Sequence, residues 1–264
     1  MDYQYILVDV KDRIATVTIN RPEYSNAFAR ESYFEIADAM NTLGAREDVG
    51  AIVITGAGKH FSAGGDIKRF KMLVDTGAYL KAEDIEAVSA MPMSIRNCPK
   101  PVIAMINGVA TGAGLSCALA CDFRIVEPSS KMIMAFVNMG LCGDNESIYT
   151  LMRLVGPDKA ELMMMTGDAY KGEPCVKTGL ATVLAENGKL TETTYALAAK
   201  LASKSSTAHA GQKRLIRKYF YGGMENFAKD EGIEMAAASR QPDFTEAVNA
   251  FIEKRMPAYN LPHK

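Results

Sequence analysis

The sequence has almost no charge imbalance: 30 Lys and Arg stand against 31 Asp and Glu in 264 residues. That disfavours a surface devoted to neutralising nucleic-acid phosphates, which needs an excess of cations. The five cysteines, Cys98, Cys117, Cys121, Cys142 and Cys175, are odd in number and form no C-x-x-C pair. Neither a disulfide framework nor a zinc ribbon is suggested, and a reducing compartment fits. His60, His209 and His263 are scattered along the chain, so no metal cluster is expected. No apolar run approaches the roughly 20 residues that span a bilayer. The N-terminal stretch mixes charge into its apolar residues and offers no signal-cleavage pattern. These absences lead to the expectation of a cytoplasmic protein that binds neither nucleic acid nor membrane.

What the chain does have is alternation. Strand-like apolar runs at 5–10, 15–19, 51–55, 101–106, 123–126 and 181–184 are separated by helix-like stretches, the pattern of an α/β fold. Phe34, Ala37, Met40 and Leu43 recur at a spacing of three within 31–43, which predicts an amphipathic helix covering the sheet. From about residue 191 the strand signals stop, and 191–203, 208–219, 226–239 and 244–255 read as helices. Two compact parts are expected, a core over 1–190 and a helical region over 191–264. The length suffices for a substantial apolar core. With no internal repeat and no low-complexity linker, the helices should pack on the core or on a neighbouring subunit.

Two glycine-rich turns carry the functional signal. Phe61-Ser62-Ala63-Gly64-Gly65-Asp66-Ile67-Lys68 follows a strand and precedes a helix for which Asp66 is a natural N-cap. Asn107-Gly108-Val109-Ala110-Thr111-Gly112-Ala113-Gly114-Leu115 repeats the strand, small-residue turn, helix-start design. Adjacent glycines let backbone approach closely, and two such turns can aim one N–H each at a single oxygen. A phosphate loop is excluded because His60 follows Gly58-Lys59 where Ser or Thr is required. A dinucleotide fingerprint is excluded because Cys117 occupies the place of its third glycine.

Together with Asn20-Arg21-Pro22, Asn26-Ala27, the stretch from Gly140 to Arg153-Leu154-Val155-Gly156, and Phe251-Ile252-Glu253-Lys254-Arg255, these turns resemble the crotonase, or enoyl-CoA hydratase/isomerase, superfamily over almost the whole chain. The resemblance implies an α/β fold in which a spiral of β-β-α turns is followed by a C-terminal helical trimerisation region, assembled as a homotrimer or a dimer of trimers. It implies an acyl-CoA substrate, with coenzyme A entering as part of that substrate and no permanently bound cofactor. The Gly65 and Ala113 amides would hold the thioester oxygen. Tyr24, Ser25, Ala63, Gly64, Asp66, Ile67 and Lys68 would line the CoA path, and Phe251 and Lys254 would reach a neighbouring subunit's ligand.

Where the family's hydratases carry two glutamates, this sequence has Ser116 and Phe136, and neither can act as the acid and base that add water to a double bond. Asp144 stands at a position where the resemblance implies the catalytic carboxylate of some Δ3,Δ2-enoyl-CoA isomerases, of dienoyl-CoA isomerases and of 4-chlorobenzoyl-CoA dehalogenase. Phe136, Met139 and Leu141 would raise its pKa by desolvation. Glu146 is a second carboxylate that could substitute for it, and Ser116 is expected as a polar wall of the acyl pocket. Met132, Met134 and Met139 are expected near that pocket. The leading expectation is an enoyl-CoA isomerase. Hydration, hydrolysis or dehalogenation through Asp144 and a non-catalytic CoA-ester binder are the alternatives.

Overall fold

The computed structural model describes residues 2–259. Strands β1 (Ile6–Lys11) and β2 (Ile14–Ile19) form an antiparallel hairpin. Its two-residue turn places Asp12 and Arg13 at φ 50° and 65°, the left-handed pair that matches strand twist. Strand β3 (Ala51–Gly56) pairs parallel to β2, and β4 (Val102–Met105) parallel to β3. A short β5 (Val109–Thr111) leaves the main sheet, while β6 (Phe123–Val126) returns beside β4. Strand β7 (Lys131–Ile133) pairs with β5 and with β8 (Ala169–Lys171), and β9 (Val183–Leu184) closes the main sheet beside β6.

Helix α1 (Arg30–Ala45) connects β2 to β3, and α2 (Ile67–Thr76), α3 (Ala82–Val88) and α4 (Ala90–Asn97) connect β3 to β4. Then come α5 (Ala113–Ala120), α6 (Ser147–Val155), α7 (Pro157–Thr166) and α8 (Glu173–Lys177). The chain ends in α9 (Leu190–Ala202), α10 (Ser206–Tyr219), α11 (Met224–Ser239) and α12 (Pro242–Glu253). No helix among the described residues is long and apolar enough to cross a membrane.

Alternation along the strands builds two cores. Ile52 and Ile54 of β3 join Ile36, Met40 and Leu43 of α1 on one face. Ala51 and Val53 join Leu190, Ala198 and Ala202 of α9 on the other, as a period of two requires when both faces are covered. A Cβ at Gly50 would lie 2.9 Å from Ala202, so α9 seats against the sheet because that side chain is missing. The expected amphipathic face of α1 is present: Ala37, Met40 and Leu43 are buried and Phe34 is half-buried. Of the C-terminal helices, α11 packs on α3 and α12 on α2.

Several elements escaped the sequence. Strands β5, β7 and β8 have three residues each, too few to display a period. Helices α3, α4, α7 and α8 were not expected, and α4 carries Pro92 inside its first turn, where the missing N–H is tolerated. The last helix stops at Glu253, with Lys254 at φ 56° as its cap and Arg255 outside it.

Helix α5 is buried at all eight positions, so its ends need partners inside the protein. Two buried guanidiniums meet its C-terminal end. Arg96 Nη2 donates to Leu119 O at 2.5 Å, and Arg124 Nη1 donates to Cys121 O at 2.7 Å. Both complement the negative end of the helix. Burial, then the charge of Arg96, lowers Arg124 to about 10. The N-terminal end of α5 opens elsewhere.

Candidate active site

Asn26 brackets the first glycine turn. Its amide nitrogen donates to Ala57 O at 2.8 Å and His60 O at 2.6 Å, and its Oδ1 accepts the Arg21 N–H at 2.9 Å. Arg21 donates to Ala27 O at 2.6 Å and pairs with Asp66 at 3.1 Å, while Asp66 accepts the Lys68 N–H as cap of α2, as expected. Ser62 Oγ donates to Asn26 O at 2.7 Å and accepts the Gly64 N–H at 3.1 Å.

The second turn is stitched to the first. Ser62 N donates to Val109 O at 3.0 Å, and Thr111 N returns a bond to Ser62 O at 3.1 Å. A Cβ on Gly64, which holds φ 85°, would sit 2.7 Å from Thr111 O and 3.3 Å from the Ala113 nitrogen. Only glycine permits that approach. Ala113 is the first residue of α5, so its N–H has no acceptor within the helix and lies at the positive end of the dipole. Among the described residues, neither Gly65 nor Ala113 donates its amide to a protein acceptor.

Both residues line a cavity of about 320 Å³ together with Phe136, Met139, Leu141 and Asp144, in the size range of small-molecule sites. Asp144 is 8 % exposed, and its Oδ1 has no hydrogen-bond partner. Burial pushes its carboxyl up to about 6, with the neighbouring Asn145 amide and the Arg69 charge opposing. The other acids on the cavity wall, Asp66 and Asp84, are paired with Arg21 and Arg30.

The cavity gathers some expected residues and not others. Ala63, Asp66, Ile67 and Phe251 line it. Tyr24, Ser25, Gly64, Lys68 and Lys254 do not: Tyr24 is exposed between Arg21 and Lys68, whose charges lie 4.7 and 4.4 Å from its ring centre. Ser116 is not a pocket wall. It is buried with its hydroxyl on Gly112 O and Asp144 O, both at 3.2 Å, so it ties α5 to the main chain of the acid. Glu146 also misses the cavity and is fully buried. Of the three methionines, Met139 lines the cavity, whereas Met132 and Met134 fill the core. His263 lies outside the described residues.

Sequence reasoning missed Tyr33, Arg69, Asp84, Met235 and Arg255, all on the cavity wall. Tyr33 is buried, and its ring meets Phe28 edge-on at 5.0 Å. Burial, followed by the charge of Asp144, holds its hydroxyl protonated well above the usual range. Its place on the buried face of α1 was readable; the chemistry of that face was not.

The sequence pattern of the family described as enoyl-CoA hydratase/isomerase matches residues 9–261. A trans-2-decenoyl-[acyl-carrier-protein] isomerase of Streptococcus mutans is 31 % identical, with 98 % of this chain and 99 % of that protein covered. A 1,2-epoxyphenylacetyl-CoA isomerase of Escherichia coli is 28 % identical, with 97 % of this chain and 98 % of that protein covered. The crystal structure of an enoyl-CoA hydratase from Mycobacterium avium subsp. paratuberculosis superimposes with a TM-score of 0.88 at 26 % identity, covering 98 % of this chain and all of that one.

Proposed function

The chain belongs to the enoyl-CoA hydratase/isomerase family, and on that premise we propose that it is an isomerase that shifts the double bond of an enoyl thioester. Asp144 removes a proton from the carbon beside the thioester carbonyl. The electron pair moves onto the carbonyl oxygen, which the Gly65 and Ala113 amides stabilise, each such donor being worth about 2.7–4 kcal/mol in the transition state. Collapse of the dienolate returns the proton from Asp144 to the carbon two bonds further along. The balance is one proton out and one proton back.

The observation that carries this reading is that one cavity is lined by two residues with undonated amides and by a buried carboxyl with an unpartnered oxygen. Hydration needs a separate acid and base around a bound water. Phe136 occupies the cavity wall and Ser116 is engaged with two carbonyls, which favours the reaction that one carboxylate can perform. Coenzyme A arrives with the substrate, its path running past Ala63, Asp66 and Ile67 with Tyr24, Ser25, Gly64 and Lys68 at its edge. A trimer or dimer of trimers formed through the C-terminal helices is proposed as well, with Phe251 and Lys254 toward a neighbouring ligand and the core over 1–190 as the other unit. Leu215, Ile216, Tyr219 and Phe220 expose apolar area around the end of α10 that such contacts would cover. A cytoplasmic site of action completes the reading.

An acyl-carrier-protein thioester is the second substrate form, favoured by the 31 % identical isomerase. The test offers 3-enoyl thioesters on both carriers in deuterated water and follows the conjugated product. Deuterium uptake beside the carbonyl and at the new terminus of the shifted system is expected. A panel that is bound but gives neither conjugated product nor deuterium uptake would leave a CoA-ester binder and remove the isomerase.

A further inference from the structure

Two more carboxyls are buried on the far side of the Asp144 loop, and the proposed chemistry uses neither. Glu146 is fully buried, and Glu231 on α11 is 4 % exposed. The Glu146 N–H donates to Glu231 Oε2 at 2.7 Å. That bond reaches from the C-terminal helices to the residue that caps α6, where Asn145 and Glu146 both hold left-handed backbone at φ 54° and 51°. The cap of α6 therefore comes from another helix, 85 residues away in sequence, because Glu146 makes no side-chain cap of its own.

The remaining oxygens are left over. Asp144 Oδ1, both oxygens of Glu146 and Glu231 Oε1 are buried without a hydrogen-bond partner, an arrangement that buried acceptors rarely tolerate. A proton converts a carboxylate oxygen from acceptor to donor. No group of three or more acids, cysteines or histidines among the described residues is arranged to hold a metal ion.

We propose that Glu231 is a positioning residue for Asp144: from α11 its carboxyl accepts the Glu146 N–H and so fixes the 145–147 turn that holds Asp144 against the cavity. Asp144 is then the member of the trio that ionises toward the cavity. The proposal rests on the reading of Asp144 as the base. The order of ionisation agrees with it. Burial, the Asp144 charge and the Glu146 charge raise Glu231 well above the carboxylate range, opposed by its bonds to the Glu146 and Ile148 backbone. Burial raises Glu146 to about 8, with the nearby Ser89 hydroxyl opposing and the Asp144 charge adding.

The groups around the trio are accounted for. Cys142 comes from the same loop, Tyr33 of α1 and Arg69 of α2 stand on the Asp144 side, and Arg217 of α10 acts on Glu146 while paired with Glu225. On α3, Asp84 is engaged by Arg30. One turn beyond Glu231 on the same helix face, Met235 lines the cavity. The helix that caps the acid loop thus also touches the space the acyl group would fill.

The experiment compares Glu231→Leu, Glu231→Gln and Asp144→Asn for isomerase kcat, KM and pH profile. Leucine removes the acceptor. It should lower kcat about tenfold or more with KM nearly unchanged, and move the acid-side midpoint by about half a pH unit or more, because the freed turn no longer holds Asp144 in its present surroundings. Glutamine supplies both an acceptor and a donor and should restore kcat and midpoint to wild-type values. A folded leucine variant with wild-type kcat and midpoint overturns the proposal, as does a glutamine variant as impaired as the leucine one. Should the leucine variant fail to fold by thermal melting, Glu231→Asp replaces it. Drawn back by one methylene, that carboxyl should cost about tenfold in kcat, and wild-type kinetics there overturn the proposal. Loss of activity in Asp144→Asn alongside an unaffected Glu231→Leu sinks only the Glu231 inference, whereas full activity in Asp144→Asn removes the base itself.

Discussion

The turn at Gly65 and the turn at Asp144 border one cavity, yet they are held in different ways. Around Gly65 the bonds come from residues 21–28 and from Val109 and Thr111, all backbone or fully engaged side chains. Around Asp144 the loop is held by Ser116 from α5 and Glu231 from α11, and four carboxylate oxygens remain without partners. The first is a rigid donor surface whose charge is fixed by peptide dipoles. The second changes charge with pH. Stabilising an oxyanion requires geometry that does not relax, whereas moving a proton requires a group whose two protonation states lie close in energy.

Four predictions sharpen that contrast. The largest effect is expected from Asp144→Asn, which should lower kcat by about 10³-fold or more while leaving thioester binding within a few-fold, read by steady-state kinetics and calorimetry. Next is the stability of Glu146→Gln. Burial raises the folded-state pKa of Glu146 to about 8 from an ordinary value of 4.5, so the native state binds the extra proton between those limits and wild-type stability from this group falls as pH rises through that window. Relative to wild type, the variant should gain about 1.4 kcal/mol per pH unit there, a few kcal/mol in all, and no pH-dependent difference should remain below pH ~4. Urea unfolding across pH measures it, and a difference independent of pH would sink the account of Glu146.

On the donor wall, Gly64→Ala forces a side chain into φ 85° against Thr111 O and should cost about 1–3 kcal/mol. Gly65→Ala instead meets only the tip of the Phe70 ring at 2.9 Å, which can turn aside, so less than about 1 kcal/mol is expected. Equal costs at the two positions would show that the turn is less fixed than its bonds suggest. The smallest effect is in the pH profile. With Asp144 at about 6, kcat/KM should fall roughly tenfold per unit below that midpoint and stay flat above it until the rest of the acid trio ionises.

Much of this was legible. The two glycine turns, the capping role of Asp66 and the covering face of α1 follow from short-range rules, because each depends on residues within about ten positions of one another. Asp144 was reached through the family pattern, and its burial matches the apolar neighbours Phe136, Met139 and Leu141. Ser116 was misread because a hydroxyl's direction is set by the helix it sits on, and here that helix turns it to the main chain of the acid loop. Glu146 was misread for a similar reason: only two residues beyond Asp144 in sequence, it is buried off the cavity, with its N–H on Glu231 of α11.

The sequence by itself carried the resemblance to the family in its motifs, and the alternating α/β order and the two glycine turns in its periodicity and in residue types that backbone geometry demands. Tertiary structure decided which carboxyls are buried near one another, which one borders the cavity and how far each is dehydrated. A pKa depends on distances to groups far along the chain and on the water excluded around them, and neither quantity exists until α5, α6 and α11 have packed together.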